Sequence, residues 1–147
     1  MNPIVIIDTN FFISIINYRI DLFTKIKHIF FKCEIVLLPE TLYELKKLKE
    51  KKVISKEKFK LIISYIKNFS IKIISIKNLL NFVEENIDDI LNQDINSYFD
   101  KVVLDFFEKN KNLNMYVATN DKMLIKKLKN LNIKCIIVAK KKYLRLY

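Results

Sequence analysis

"IVIIDTN", residues 4–10, runs four apolar side chains into a carboxylate, a hydroxyl and an amide before apolar character resumes at Phe11. The β-branched run Ile4–Ile7, entered through Pro3, predicts a short strand buried on both faces, as in a parallel sheet. In open α/β sheets, ligands sit in the crevice beyond the carboxyl ends of the strands, which gives such a strand a reason to end on Asp8. Near the other end of the chain, "NMYVATND" (114–121) repeats the punctuation with Thr119, Asn120 and Asp121.

Outward from these two stretches, strands and helices alternate. Residues 10–17 and 21–32 have helical spacing, with Asp21 as an N-cap for the second. "EIVLLP" (34–39) reads as another buried strand, and its proline opens the helix of "ETLYELKKLKEKK". Ser55 starts an amphipathic helix to about Phe69, and "IKIISI" (71–76) alternates as an edge strand does. Residues 77–92 are expected to be helical. A helix begins near Ser97, and "NMYVAT", "NDKMLIKKLKNLN" and "IKCIIVA" read as strand, helix and strand. This order predicts an α/β fold: a three-layer α/β/α sandwich around a mostly parallel sheet of about five strands. One domain is expected over residues 1–140, with 141–147 as a basic C-terminal tail. The chain has no glycine, so turns and helix ends are expected to lean on Asn110, Asn120 and Asn130.

The net charge of +11 and a pI near 9.6 point to a polyanionic partner, nucleic acid first. A chain rich in Lys, Ile and Asn also carries the mark of A+T-biased coding, which halves the weight of that argument. No apolar run approaches the roughly 20 residues that cross a bilayer, and the N-terminus lacks the pattern of a signal peptide. Cys33 and Cys135 lie far apart in apolar segments, which predicts two buried, reduced thiols in a cytoplasmic protein.

The carboxylates decide the chemistry. Asp8 and Asp121 follow two strands whose ends lie on one edge of a parallel sheet. Asp100 falls in the first turn of the helix before the second of these strands. Glu40 and Glu44, four residues apart, share a face of the helix after strand two. Each has a bland reading: Asp8 and Asp121 as helix caps, Ser97 with Asp100 as an approximate capping box, Glu44 as a solvated partner of Lys47. Gathered together, such groups repel unless a cation holds them, and Mg²⁺ or Mn²⁺ suits an all-oxygen set. An acidic metal pocket in a basic protein suits phosphodiester hydrolysis.

These residues resemble the PIN-domain ribonucleases. "IVIIDTNFFI" is similar to the family's opening strand with its first acid, Asp8. "LPETLYELKKL" resembles the second motif, which selects Glu44 rather than Glu40. "YFDKVVLDFF" resembles the third, with Asp100 as the acid and Asp105 as the alternative one turn deeper. "YVATNDKMLIKKLK" resembles the fourth, with Asp121.

The resemblance implies a metal-dependent endoribonuclease in which Asp8, Glu44, Asp100 and Asp121 bind one or two Mg²⁺ or Mn²⁺ ions. Asn10, Thr119 and Asn120 would orient those carboxylates. Lys122, Lys126, Lys127, Lys141, Lys142 and Tyr143 are candidate RNA contacts, against the alternative of a solvated basic face. His28, the only histidine, has no expected role. The final strand and tail resemble those of archaeal relatives of the small-subunit ribosomal RNA processing nucleases, so precursor ribosomal RNA is the expected substrate. The family resemblance also implies a homodimer. Two alternatives are a toxin of the VapC type, held by a small antitoxin protein, and a catalytically silent RNA-binding scaffold. A phosphoacceptor receiver domain would need an acidic pair after the first strand and an Asp ending the third, and "IKIISIKN" offers none.

Overall fold

The computed structural model describes residues 2–147. Five strands are parallel: β1 (Ile4–Ile7), β2 (Glu34–Leu37), β3 (Lys72–Ile73), β4 (Met115–Ala118) and β5 (Cys135–Ala139). A sixth, β6 (Tyr143–Leu146), lies antiparallel to β5, and the sheet order is β3-β2-β1-β4-β5-β6. Residues 141–147, expected as a tail, therefore supply the sheet's outer strand. The turn between β5 and β6 uses Lys140 and Lys141, both at positive φ. Lysines in that conformation give no local sequence signal for a hairpin, which is normally marked by Gly or Asn.

Among the described residues, seven α-helices cover the sheet: α1 (Thr9–Asn17), α2 (Leu22–Lys27), α3 (Pro39–Glu50), α4 (Lys56–Asn68), α5 (Ile87–Leu91), α6 (Phe99–Lys109) and α7 (Lys122–Asn130). The period-two alternation of β1 separates two cores. Val5 and Ile7 pack with Phe11, Phe12, Leu42, Leu45 and Ile62 of α1, α3 and α4. Ile4 and Ile6 pack on the other face with Phe99, Val103, Phe107, Leu124 and Leu128 of α6 and α7. This is the expected three-layer arrangement, with six strands in place of about five.

Some local expectations needed correction. Residues 77–92 are not one helix: a short 3₁₀ turn at Ile76–Asn78, a bridge at Glu85 and the five-residue α5 occupy them. The edge strand at 71–76 shrinks to two residues in β3. Positive-φ turns fall on Arg19, Lys52, Ser70, Asn112 and Asn132 among others. Asn110 does cap α6, its side-chain amide donating to the carbonyl of Phe106 at 2.8 Å. Cys135 is buried, whereas Cys33 is only partly so. Among the described residues, no helix is long and apolar enough to cross a membrane.

The topology fixes where a site can form. From β1 the chain moves to β2 and β3 on one side, then crosses to β4 on the other. The gap beyond the ends of β1 and β4 is therefore the switch point of the sheet, where the crevice of an open α/β fold opens.

Candidate active site

Asp8 and Thr119 are the first residues past β1 and β4. The ladder carries on to them: the Asp8 N–H donates to the Ala118 carbonyl at 2.9 Å, and the Thr119 N–H to Ile136 at 3.0 Å. Asp8 is only 5% exposed and Thr119 is fully buried. The Thr119 hydroxyl donates to Asp8 Oδ2 at 2.8 Å and accepts from the Asp121 N–H at 3.1 Å. One hydroxyl thus ties the two acids' segments together.

Asp8 and Asp121 also cap helices, as their simple readings required. Asp8 Oδ1 accepts from the Thr9 N–H at 2.7 Å ahead of α1. Asp121 Oδ1 accepts from the N–H groups of Met123 and Leu124 at the start of α7. Capping and site formation coincide because a helix N-terminus holds an ionised carboxylate favourably.

Glu44 comes from the middle of α3. Its Oε2 accepts a short hydrogen bond from the Thr9 hydroxyl, the residue beside Asp8. It is no solvated partner of Lys47, whose ammonium pairs with Glu50 at 3.4 Å. Asp100 sits in the first turn of α6. Asp105, one turn deeper, is exposed and faces Lys101 at 3.8 Å, so it is no rival for the site.

Asp8, Glu44, Asp100 and Asp121 line one cavity of about 660 Å³ with Asn10. Burial is the main influence on Asp8; with the charges of Asp100 and Asp121 it outweighs the hydrogen bonds from Thr119 and Thr9, and pushes the carboxyl up to about 6. Glu44 is raised by burial first, and by Asp8 and Asp100. Asp100 is raised by burial and Asp121, with Lys127 opposing. None of the four forms an ion pair among the described residues. The pocket holds four carboxyl groups, none in a direct ion pair, with Lys47 and Lys51 only at its rim.

That donor set fits a hard divalent cation, which prefers oxygen ligands and would relieve the mutual repulsion. As the side chains stand, no three His, Cys, Asp or Glu residues among those described are gathered tightly enough to hold an ion. The fit lies in the chemistry and convergence of the donors rather than in a closed cage.

No protein-family model matches the chain. The fold is similar to the structure of the PIN domain endonuclease Utp24, with a TM-score of 0.68 and 21% identity, covering 97% of this chain and 90% of the other. In sequence the chain is 31% identical over 144 residues to Ribonuclease VapC4 of Methanocaldococcus jannaschii, covering 95% of this chain and 93% of the relative. It belongs to the PIN-domain ribonuclease family.

Other residues of this PIN domain depart from the sequence expectations. Asn120 does not face the acids: its Oδ1 accepts from the Val138 N–H at 2.9 Å and it borders a separate groove. Ser97 is not part of a capping box. Tyr98 occupies the N-cap position of α6 without a side-chain cap, and the Ser97 hydroxyl donates instead to Glu40 Oε2 at 2.5 Å. Glu40 is buried, and its Oε1 has no hydrogen-bond partner among the described residues.

Of the basic candidates, Lys122 and Lys126 border the Asn120 groove, and Lys127 acts electrostatically on Asp100. Lys141 lies over the ring of Tyr18 and Lys142 over that of Tyr143; none of Lys141, Lys142 and Tyr143 lines either cavity. Sequence reasoning missed the rim of the acid cavity, formed by Tyr43, Lys47, Lys51 and Tyr98. Lys47 and Lys51 were findable, since they fall three and seven residues after Glu44 on one helical face.

Proposed function

We propose that this protein is a divalent-metal-dependent endoribonuclease whose site is the Asp8–Glu44–Asp100–Asp121 cavity. The observation that carries the reading is the convergence of four carboxyl groups, from four separated segments, at the β1/β4 switch point, with none of them in an ion pair among the described residues. Those four would hold one or two Mg²⁺ or Mn²⁺ ions. A bound ion would supply charge neutralisation at the scissile phosphate and acidify the attacking water.

The chain's own residues prepare that site. Thr119 orients Asp8 and favours its ionised form; Thr9 does the same for Glu44. Lys47 and Lys51 offer positive charge at the rim, where a phosphate backbone must pass to reach the acids. Free thiols and the absence of a membrane-crossing helix among the described residues suit a cytoplasmic enzyme.

Two cellular roles follow from the same chemistry. The likeness to Ribonuclease VapC4 over 95% of the chain supports a VapC-type toxin restrained by an antitoxin protein. Maturation of ribosomal RNA rests on the resemblance of the C-terminal segment. Growth arrest on expression, relieved by a co-purifying small protein, supports the toxin. Accumulation of uncut precursor ribosomal RNA on depletion supports the other.

The enzyme reading is tested by assaying Asp8→Asn and Asp121→Asn on structured RNA with Mn²⁺. Both are expected to lose cleavage, and wild-type cleavage by both rejects the site. Calorimetric titration with Mn²⁺ separates an enzyme from a silent scaffold, for which no binding at the acid cavity is expected.

A further inference from the structure

A second groove, of about 620 Å³, opens on the other side of the α7 N-terminus from the acid cavity. Consecutive residues divide between the two: Asp121 lines the acid cavity, while Asn120 and Lys122 line the groove. Lys122, Lys126 and Lys129 recur at i, i+4 and i+7 and so stand on one face of α7. The floor is apolar, from Ile125, Ile137 and Val138, and no Asp or Glu side chain lines it among the described residues.

The far wall is the ring of Tyr147. Its backbone is fixed to the sheet by reciprocal bonds with Cys135, at 3.1 and 2.7 Å. Lys129 Nζ lies 3.2 Å from the ring centroid, and the Arg145 guanidinium lies 5.6 Å from it. Tyr143 and Arg145 of β6 and Tyr147 just beyond it alternate onto one face, which Tyr147 turns toward Lys129 of α7.

The groove is also rigidly coupled to the acids. The Val138 N–H extends past the end of β4, and the Asn120 side chain accepts its hydrogen bond. This locks β5 to the loop that carries Asp121.

We infer that this groove binds single-stranded RNA flanking the scissile phosphate, with Lys122, Lys126 and Lys129 on backbone phosphates and a base against Tyr147. The inference rests on the ribonuclease reading and extends it to a binding groove outside the acid cavity. Cations along one wall and an aromatic ring over an apolar floor are what a backbone with splayed bases requires. A duplex keeps its bases stacked inside and has no use for the ring.

The test is fluorescence anisotropy with labelled oligouridine about twelve nucleotides long, within the span of single-strand binders, in EDTA so that cleavage cannot occur. Lys126→Ala/Lys129→Ala is expected to weaken binding about tenfold and flatten the salt dependence, by about 1.4 in the slope of log K against log salt. Tyr147→Ala is expected to weaken binding about tenfold with an unchanged salt slope, and Tyr147→Phe to bind as the wild type does. Lys60→Ala, on the exposed side of α4, controls for bulk charge.

Wild-type affinity and slope in the lysine double variant overturn the groove. So does equal competition from duplex RNA, or from oligoaspartate of similar length, which would mark a protein partner's acidic segment as the occupant. Groove-independent binding by a chain that still cleaves RNA removes this inference and leaves the nuclease reading. Groove-dependent binding by a chain that cleaves nothing with any divalent ion does the reverse.

Discussion

Thr119 donates its hydroxyl to Asp8 Oδ2 across 2.8 Å, joining the ends of β4 and β1 although the two residues stand 111 positions apart. The bond works against the burial that raises the Asp8 carboxyl to about 6, so Thr119 sets how readily the site ionises. Mn²⁺ binding is expected to strengthen as pH rises through about 6, where the metal-free carboxyl ionises. Thr119→Val should move that rise to higher pH, read from Mn²⁺ titrations at a series of pH values.

The same carboxyl has a stability consequence of opposite sign. Its folded-state value of about 6 exceeds 3.8, so the folded chain holds this proton more tightly than the unfolded one. The Asp8 contribution to stability therefore falls as pH rises from about 4 to about 6, and stays lowered above that. In EDTA at neutral pH, Asp8→Asn should raise stability by up to about 3 kcal/mol while abolishing cleavage. Urea unfolding at pH 4 and pH 7 checks it, since the gain should shrink at the lower pH.

Asp121→Asn separates capping from chemistry. Asn caps helices as well as Asp does, so stability should change by no more than about 0.5 kcal/mol. Cleavage should fall by at least about a hundredfold, the upper end of the loss for a mere supporting partner of a bound ion. Thermal melting and a cleavage assay on one preparation give both values.

Ser97 and Glu40 connect the start of α6, which carries Asp100, to α3, which carries Glu44. Ser97→Ala leaves both oxygens of the buried Glu40 carboxyl without a partner, at an expected cost of about 1–3 kcal/mol. Glu40→Ala/Ser97→Ala should recover part of that cost. As positioning residues the pair should act on kcat more than on KM, and Ser97→Thr should restore kcat. A loss of stability without any kcat effect would show a purely structural link.

Residues 143–147 are expected to contribute to folding. Ending the chain at Lys142 removes β6 and the paired bonds between Cys135 and Tyr147. Several lost ladder bonds at roughly 0.5–1.5 kcal/mol each should destabilise the domain by about 2 kcal/mol or more. The melting temperature should drop by roughly 5 °C. A detached tail would leave it unchanged.

Much of this protein was legible in its sequence because the signals were local. The strands at Ile4–Ile7 and Met115–Ala118 are β-branched or apolar runs that end on polar residues, and a parallel sheet places such ends on one edge. The acids at 8, 100 and 121 stand at element boundaries, where Asp8 and Asp121 each cap a helix and face the crevice while Asp100 lies in a first turn. Glu44, in mid-helix, was separable from Glu40 only through its motif.

The tertiary structure decided what depends on contacts between distant segments. The Ser97 hydroxyl could have capped its own helix; α3 offered it a buried carboxylate instead. Asn120 turned from the acids because the Val138 N–H, beyond the end of β4, offered its side-chain oxygen a donor. Residues 143–146 became a strand only because β5 presented an open edge. Sequence spacing fixed the order and type of the elements, since hydrophobic periodicity is a property of each segment; the partners of individual polar groups were set by which donors packing left unsatisfied.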